Sequence, residues 1–337
     1  MKALRLYGPR DLRLVDEAPP VPGPGEELVR VTAVGICGSD LHWYEEAAIG
    51  TSVLTRPIVP GHEGGGVIAS GPRSGERVAI DPAIPCGVCE QCHAGHAHLC
   101  LNLPFAGDGA VDGLMREFVA WPSACLVPVP DSLGDADVAM LEPLGVALHA
   151  IRLGGIRPGE RVGVFGCGPI GLLLIQLARA AGATTIVATD VLPHRLAAAR
   201  QAGATLAVRA NGESAHAELR EATNGHGVDV AFEAAGVDDS IETSVALAAP
   251  AGTVVVVGIP SNDRTSFKAS AARRKGLTLK ISRRMNRVYP EAIGLVEAGL
   301  ADVRSIVSAS YPLSEFQAAF TGAAARDGLK VVVRPSE

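Results

Sequence analysis

Four cysteines stand within one short stretch, Cys86-x2-Cys89-x2-Cys92-x7-Cys100. Thiolates so spaced close a tetrahedral structural metal site, and zinc suits them without redox hazard. The ferredoxin run ends differently, in Cys-Pro after three residues, so an iron–sulfur cluster is the weaker reading. His93, His96 and His98 fall in the same loop and could replace a cysteine. Four cysteines already suffice, so these histidines are read as exposed. Unligated surface thiols are the ordinary alternative, which this spacing disfavours.

A second set is dispersed: Cys37, His62 and Glu63. Three protein ligands with one open position is the pattern of a catalytic zinc. Taken singly, Cys37 is equally a small buried hydrophobe, His62 a core histidine and Glu63 a surface charge. Spacing alone leaves the two readings level.

The third signal is Gly166-Cys167-Gly168-Pro169-Ile170-Gly171, a G-x-G-x-x-G run. It follows the apolar strand Val162–Phe165 and opens a helix, the context in which the motif has meaning. The first glycine permits a tight turn, the second a close pyrophosphate, the third close packing of helix on strand. The helix N-terminus then offers N–H groups and a positive dipole end to phosphates. Asp190 ends the next apolar strand, where a carboxylate binds ribose hydroxyls and repels a 2′-phosphate. The expected cofactor is NAD, although Arg195 could take a 2′-phosphate. Val257, Gly258 and Ile259 end a later strand and are expected beside the nicotinamide ribose. Cys167 serves as a small residue in the turn, and Cys125 is left over from the metal count.

These residues need elements to hold them. Up to about 145, short alternating runs such as 28–34 and 77–80 lie between Gly/Pro turns, the texture of an all-β unit. The charged N-terminus reads as a strand pair with no signal-peptide core. From about 146, strands at 162–165, 185–189, 228–232 and 253–257 alternate with helices at 169–181, 193–202 and 240–248. That alternation means βαβ units on a parallel sheet. Helices near 290–298 and 314–325 and a strand at 330–333 follow. With 337 residues and 47% apolar composition the chain suits two domains. The expected division is 1–146 with 277–337, carrying both metal sites, and 147–276 for the dinucleotide. The net charge of -6 argues against a nucleic-acid partner. No run of about 18 apolar residues marks a membrane span. A cytosolic setting, with the seven cysteines reduced, is expected.

In order along the chain, Gly35-Ile36-Cys37-Gly38-Ser39-Asp40-Leu41-His42, Gly61-His62-Glu63, the four-cysteine lobe, Glu142-Pro143-Leu144 and Gly166 to Gly171 together resemble the medium-chain zinc-dependent alcohol dehydrogenases. The polyol branch is the most similar, and the likeness spans essentially the whole chain. It implies an α/β fold in which a GroES-like β domain carries both zincs and a Rossmann doubly wound parallel sheet is inserted. It implies that Cys37, His62 and Glu63 hold the catalytic zinc with Glu142 beside it, either carboxylate serving as inner ligand. It also implies oxidation of a secondary alcohol of a polyol, sugar or cyclitol by NAD, in a dimer or tetramer with the strand 253–257 near the interface. A proton relay is implied through Ser39 and the cofactor ribose to His42, although Ser39 could equally N-cap the helix that begins at Asp40.

Two departures touch the substrate. Met285 follows Arg284 where polyol enzymes carry Tyr, ahead of the Tyr289-Pro290 pair, and the segment 66–78 is short. Enzymes of L-threonine, an amino-cyclitol or a simple secondary alcohol are the alternatives. A catalytically silent NAD- and zinc-binding protein would have lost the zinc ligands, and this chain keeps them. Trp43, Tyr44, Phe105 and Trp121 are candidate pocket walls, although plain packing is the commoner role for each.

Overall fold

The computed structural model describes residues 1–337, apart from the side chain of Glu213. The chain divides into two compact units. One comprises Met1–Glu142, Tyr289–Glu297 and Val303–Glu337; the other comprises Pro143–Val288 and Ala298–Asp302.

The first unit opens with the hairpin β1 (Lys2–Gly8) and β2 (Asp11–Asp16), as its alternating sequence predicts. Strand β3 (Glu26–Gly35) is the unit's spine. Its Val29 and Val31 face the core while Arg30 faces out, and its last three residues are all buried. Helix α1 (Gly38–Glu46) follows. Next come the two-residue strands β4 (Ala48–Ile49) and β5 (Ser52–Val53), then β6 (Glu63–Ile68) and β7 (Arg77–Ile80). The cysteine lobe carries the short α2 (Glu90–His93). Strands β8 (Phe118–Pro122) and β9 (Leu126–Pro128) and helix α3 (Asp135–Ala139) lead to α4 (Leu141–Gly154).

The second unit is built on strands β10 (Arg161–Phe165), β11 (Thr185–Asp190), β12 (Leu206–Arg209), β13 (Val228–Glu233), β14 (Ala248–Val256) and β15 (Thr278–Ile281). All neighbours pair in parallel, in the order β12-β11-β10-β13-β14-β15. This is the doubly wound order whose direction reverses between the first and fourth strands, here β10 and β13. Helices α5 (Pro169–Ala180), α6 (Pro193–Ala202), α7 (Glu213–Ala222), α8 (Asp238–Leu247) and α9 (Ala269–Lys275) link the strands or flank them. Phe165, Val187, Ala231 and Val254 are fully buried, as strands covered on both faces require.

The chain then returns to the first unit through α10 (Tyr289–Glu297), β16 (Val307–Pro312), α11 (Phe316–Ala325) and β17 (Lys330–Arg334). Strands β16-β17-β3-β6-β7-β9 form one sheet, and β8 pairs with β3. Val29, Val31, Val34, Ile68 and Ile80 form its core with Leu4, Leu6 and Leu114.

The boundary differs from the expected 277. Thr278–Ile281 pairs with β14, so residues 277–288 stay with the parallel sheet. Leu206–Arg209 and Glu213–Ala222 are elements the sequence reading passed over. Strand β14 lies between β13 and the edge strand β15. No helix among the described residues is long and apolar enough to cross a membrane.

Candidate metal centres and dinucleotide crevice

Cys37, His62 and Glu63 converge although they lie in different segments. Cys37 follows the end of β3 and N-caps α1, and Glu63 opens β6, the strand antiparallel to β3. Their ligand atoms lie within 4.8 Å of one another. Glu142, in the first turn of α4, is buried and close enough for Glu63 to raise its pKa. Phe105 packs on His62, with ring centroids 5.2 Å apart.

Asp40 organises this set, and the sequence reading gave it no role. Its carboxylate accepts the Cys37 N–H at 2.9 Å and the Gly61 N–H at 2.9 Å, and lies 3.7 Å from His62 Nδ1. It thus ties the segment of Cys37 to the one that carries His62 and Glu63, which brings all three candidate ligands together. Burial, against the pull of His62, raises its pKa. Asp40 also closes the capping box of α1 onto Cys37. Ser39 therefore lies inside the first turn and is not the N-cap. His42 lies one turn further on, 3.6 Å from Glu46 Oε1.

Glu63 is no surface charge. Lys330 of β17 holds both its carboxylate oxygens, at 2.7 and 2.6 Å, and donates to Ile36 O at 3.1 Å. Burial, with Glu63 and Asp40 adding, drives the Cys37 thiol far up. Burial likewise pushes Glu142 up to about 7, His62 opposing and Glu63 adding. Buried Tyr289 is raised too, chiefly by burial, and its hydroxyl donates to Ile80 O at 3.0 Å.

The donor set fits zinc. It offers sulfur, imidazole and carboxylate within coordinating range and leaves a position for a fourth group. The charge balance fits as well. Asp40, Glu63 and Glu142 are buried with one thiol, while Lys330 is the one buried lysine or arginine among the described residues. A divalent cation supplies the missing positive charge and favours the thiolate.

The second cluster forms as the spacing requires. The sulfurs of Cys86, Cys89, Cys92 and Cys100 lie within 4.8 Å of one another, and none is disulfide-bonded. The Leu101 and Cys92 N–H groups donate to Cys89 and lower its pKa to about 6. The Cys86 N–H donates to Cys100 at 3.3 Å. N–H groups aimed at sulfur are what a thiolate metal site needs. His93 and His96 are exposed as expected, but His98 is buried, edge-on to His96.

Among the candidate wall residues, Trp43 and Trp121 are core, and the Trp121 indole donates to Asp81 O at 2.8 Å. Tyr44 packs on Phe320. Of the four aromatics, Phe105 is the one in ring contact with a candidate ligand.

In the second unit the glycine run forms a turn between β10 and α5, with Gly166 at φ 105°. A Cβ on Gly171 would lie 1.8 Å from Gly166 O, so only glycine lets α5 start this close to β10. Gly168 is the N-cap and Pro169 opens the helix, where its missing N–H costs nothing. Asp190 does more than await a ribose. Its carboxylate accepts the Cys167 N–H at 2.8 Å and the Leu192 N–H at 2.9 Å, holding the turn to the end of β11. Arg195 comes within 3.6 Å of a Cβ built on Gly168. Cys167 is buried, its thiol 3.4 Å from Thr189 O and pushed up to about 12 by burial and Asp190. Val257 and Gly258 follow β14, and Ile259 is 54% exposed.

Residues 23–131 match the family model of the alcohol dehydrogenase GroES-like domain, and residues 169–298 that of zinc-binding dehydrogenases. The chain is 34% identical to sorbitol dehydrogenase of Bacillus subtilis, across 100% of this chain and 98% of that one. Two solved structures are similar over 99% of both chains. One is a zinc-binding dehydrogenase from Sinorhizobium meliloti 1021 bound to NADP, at 33% identity and TM-score 0.89. The other is an alcohol dehydrogenase from Escherichia coli CFT073 complexed with NADH, at 27% identity and TM-score 0.90.

Proposed function

We propose a specific reaction for this chain, which belongs to the zinc-dependent alcohol dehydrogenase family: oxidation of a secondary alcohol of a polyol, sugar or cyclitol to the ketone, with NAD. The enzyme is a zinc-dependent, NAD(P)-linked oxidoreductase. The observation that carries the finer reading is the convergence of partly buried Cys37 with buried His62 and Glu63, Glu142 close by. When bound, zinc supplies Lewis acidity to an alcohol oxygen and the dinucleotide accepts hydride.

Cys37, His62 and Glu63 would hold the catalytic ion, and Cys86, Cys89, Cys92 and Cys100 a structural one. Asp40 fixes the backbone on either side of the site through the Cys37 and Gly61 N–H groups, and Lys330 balances Glu63. Glu142 would take or return a proton at the open position. Ser39 and His42, one turn apart on α1, form the alternative proton route towards solvent. Gly166, Gly168, Pro169, Ile170 and Gly171 would cradle the pyrophosphate, with Val257, Gly258 and Ile259 beside the nicotinamide ribose. Asp190 at the end of β11 supports NAD over NADP. Arg195 is the residue through which NADP would be accepted.

Met285 is buried against Gly145 and brings no hydroxyl, so small diols and amino alcohols belong in the substrate panel. A cytosolic homo-oligomer, dimer or tetramer, is the expected setting. Seven free cysteines and the open sheet edge at β15, with Ile281 71% exposed, support it. Sedimentation at several concentrations gives the assembly. The decisive experiment follows NADH formation across polyols, cyclitols, threonine and simple alcohols, with and without a chelator, alongside metal quantification. Chelator-sensitive turnover and two zincs per chain are expected. Turnover insensitive to metal removal would sink the proposal.

A further inference from the structure

Glu233 closes β13 and is 1% exposed. Its Oε1 accepts three hydrogen bonds, from the Ala235 N–H at 2.8 Å, the Gly236 N–H at 2.7 Å and the Ser240 hydroxyl. Its main-chain carbonyl accepts the Val257 and Gly258 N–H groups at 2.8 and 3.1 Å. One residue therefore ties the turn after β13 to the first turn of α8 and to the segment after β14.

These turns touch backbone to backbone. A Cβ on Gly166 would lie 2.8 Å from Ala235 N, and one on Gly236 would lie 2.5 Å from Ile259 O. A Cβ on Gly258 would lie 2.2 Å from Gly236 N and 2.7 Å from Glu233 Oε2. The Ala234 N–H also donates to Phe165 O at 2.8 Å. The segments after β10, β13 and β14 thus form one continuous ledge at the carboxyl ends of the strands. It spans the point where strand order reverses, the place where open parallel sheets bind ligands.

We propose that Glu233 is a positioning residue for the dinucleotide. Two helices, α5 and α8, begin at this ledge, and N–H groups at a helix start attract anions. Glu233 is an internal anion that occupies the Ala235 and Gly236 N–H groups just ahead of α8, whose own first turn carries Asp238 and Asp239. That leaves the start of α5, which carries no acidic residue in its first turn, as the anion site and fixes the ledge beside it. The proposal rests on the reading that this unit binds NAD.

The test is a fluorescence titration of the full-length zinc enzyme with NADH, for wild type, Glu233→Ala, Glu233→Gln and Ser240→Ala. It is paired with kcat, KM for NAD and zinc content. Glu233→Ala is expected to weaken NADH binding and raise KM for NAD about tenfold, with kcat at saturating NAD within about threefold. Glu233→Gln keeps an acceptor at Oε1 and should recover most of the affinity. Ser240→Ala removes one of three donors and should cost about threefold. Should Glu233→Ala fail to fold, the other two variants carry the same comparison. NADH affinities within about twofold of wild type in every folded variant would overturn the proposal. So would a fall in kcat at unchanged KM. Wild type that binds no NADH would overturn the underlying reading and this proposal with it.

Discussion

Replacing Lys330 by Met keeps side-chain length and removes the charge. Lys330 and Glu63 are 4% and 1% exposed and bonded through both carboxylate oxygens. Breaking such a pair from one side costs about 3–5 kcal/mol, because the other charge stays buried and unpaired. That is the cost to the metal-free chain. Where a divalent cation is also in reach of Glu63, the carboxylate keeps a counter-charge. The zinc-loaded chain should then lose only about 1–2 kcal/mol, the worth of the lost hydrogen bonds.

Thermal melts with and without chelator read both numbers. At roughly 2–4 °C per kcal/mol for a domain of this size, metal-free Lys330→Met should melt about 6–20 °C below wild type. The zinc-loaded form should melt about 2–8 °C below it. By linkage, the difference of about 2–3 kcal/mol must reappear as zinc binding about 30- to 150-fold tighter. A competition titration against a chromophoric chelator measures that directly. Equal destabilisation of both forms, with zinc affinity unchanged, would refute the reasoning. Glu63 would then serve Lys330 alone, and the third ligand would have to be Glu142.

The other predictions are briefer. Ser39→Ala should lower turnover with zinc content unchanged, and loss of zinc in that variant would count against a relay role. Asp40→Asn turns an N–H donor towards the Gly61 or Cys37 N–H, which should cost about 1–3 kcal/mol and lower occupancy of one zinc of two; full metal content by mass spectrometry would contradict it. Cys89→Ser should remove the other zinc and lower the melting temperature while the Cys37 centre still loads, which metal counting checks. Asp112 is pushed up by burial, but hydrogen bonds from Arg5 and the Val59 N–H outweigh that and hold its pKa below the usual range. Its folded-state pKa is depressed, so its stabilisation is complete above about pH 4 and fades as pH falls through the lower folded value. Asp112→Asn should cost about 1–3 kcal/mol near pH 7, and the gap to wild type in denaturant melts should narrow on acidification.

The sequence shows what is local. The strand at 162–165, the glycine turn and the helix after it are adjacent, and their apolar runs leave little choice of element. Leu206–Arg209 and α7 escape notice because, among the described side chains of α7, only Ala215 and Leu219 are buried in a polar stretch. Thr278–Ile281 escapes because it is short and at an edge, with Ile281 facing outward. None of its four side chains is fully buried, so it carries little of the apolar pattern that marks an interior strand. The second boundary falls after Val288 because β15 belongs to the parallel sheet.

The metal centres divide in the same way. The four cysteines are readable because fourteen positions separate first from last, so the loop itself sets the geometry. The dispersed set is different. Asp40 matters through the Gly61 N–H, 21 positions away, and Lys330 through Glu63, 267 positions away. Both are consequences of strand order, since β17 and β6 flank β3 on opposite sides. Residue type names a ligand, but its affinity depends on the buried charges around it. Around Cys37, those charges are contributed by four segments that only the folded sheet brings together. A substitution at Lys330 therefore tests the ligand assignment more sharply than one at Glu63, because it alters the counter-charge and leaves every candidate donor in place.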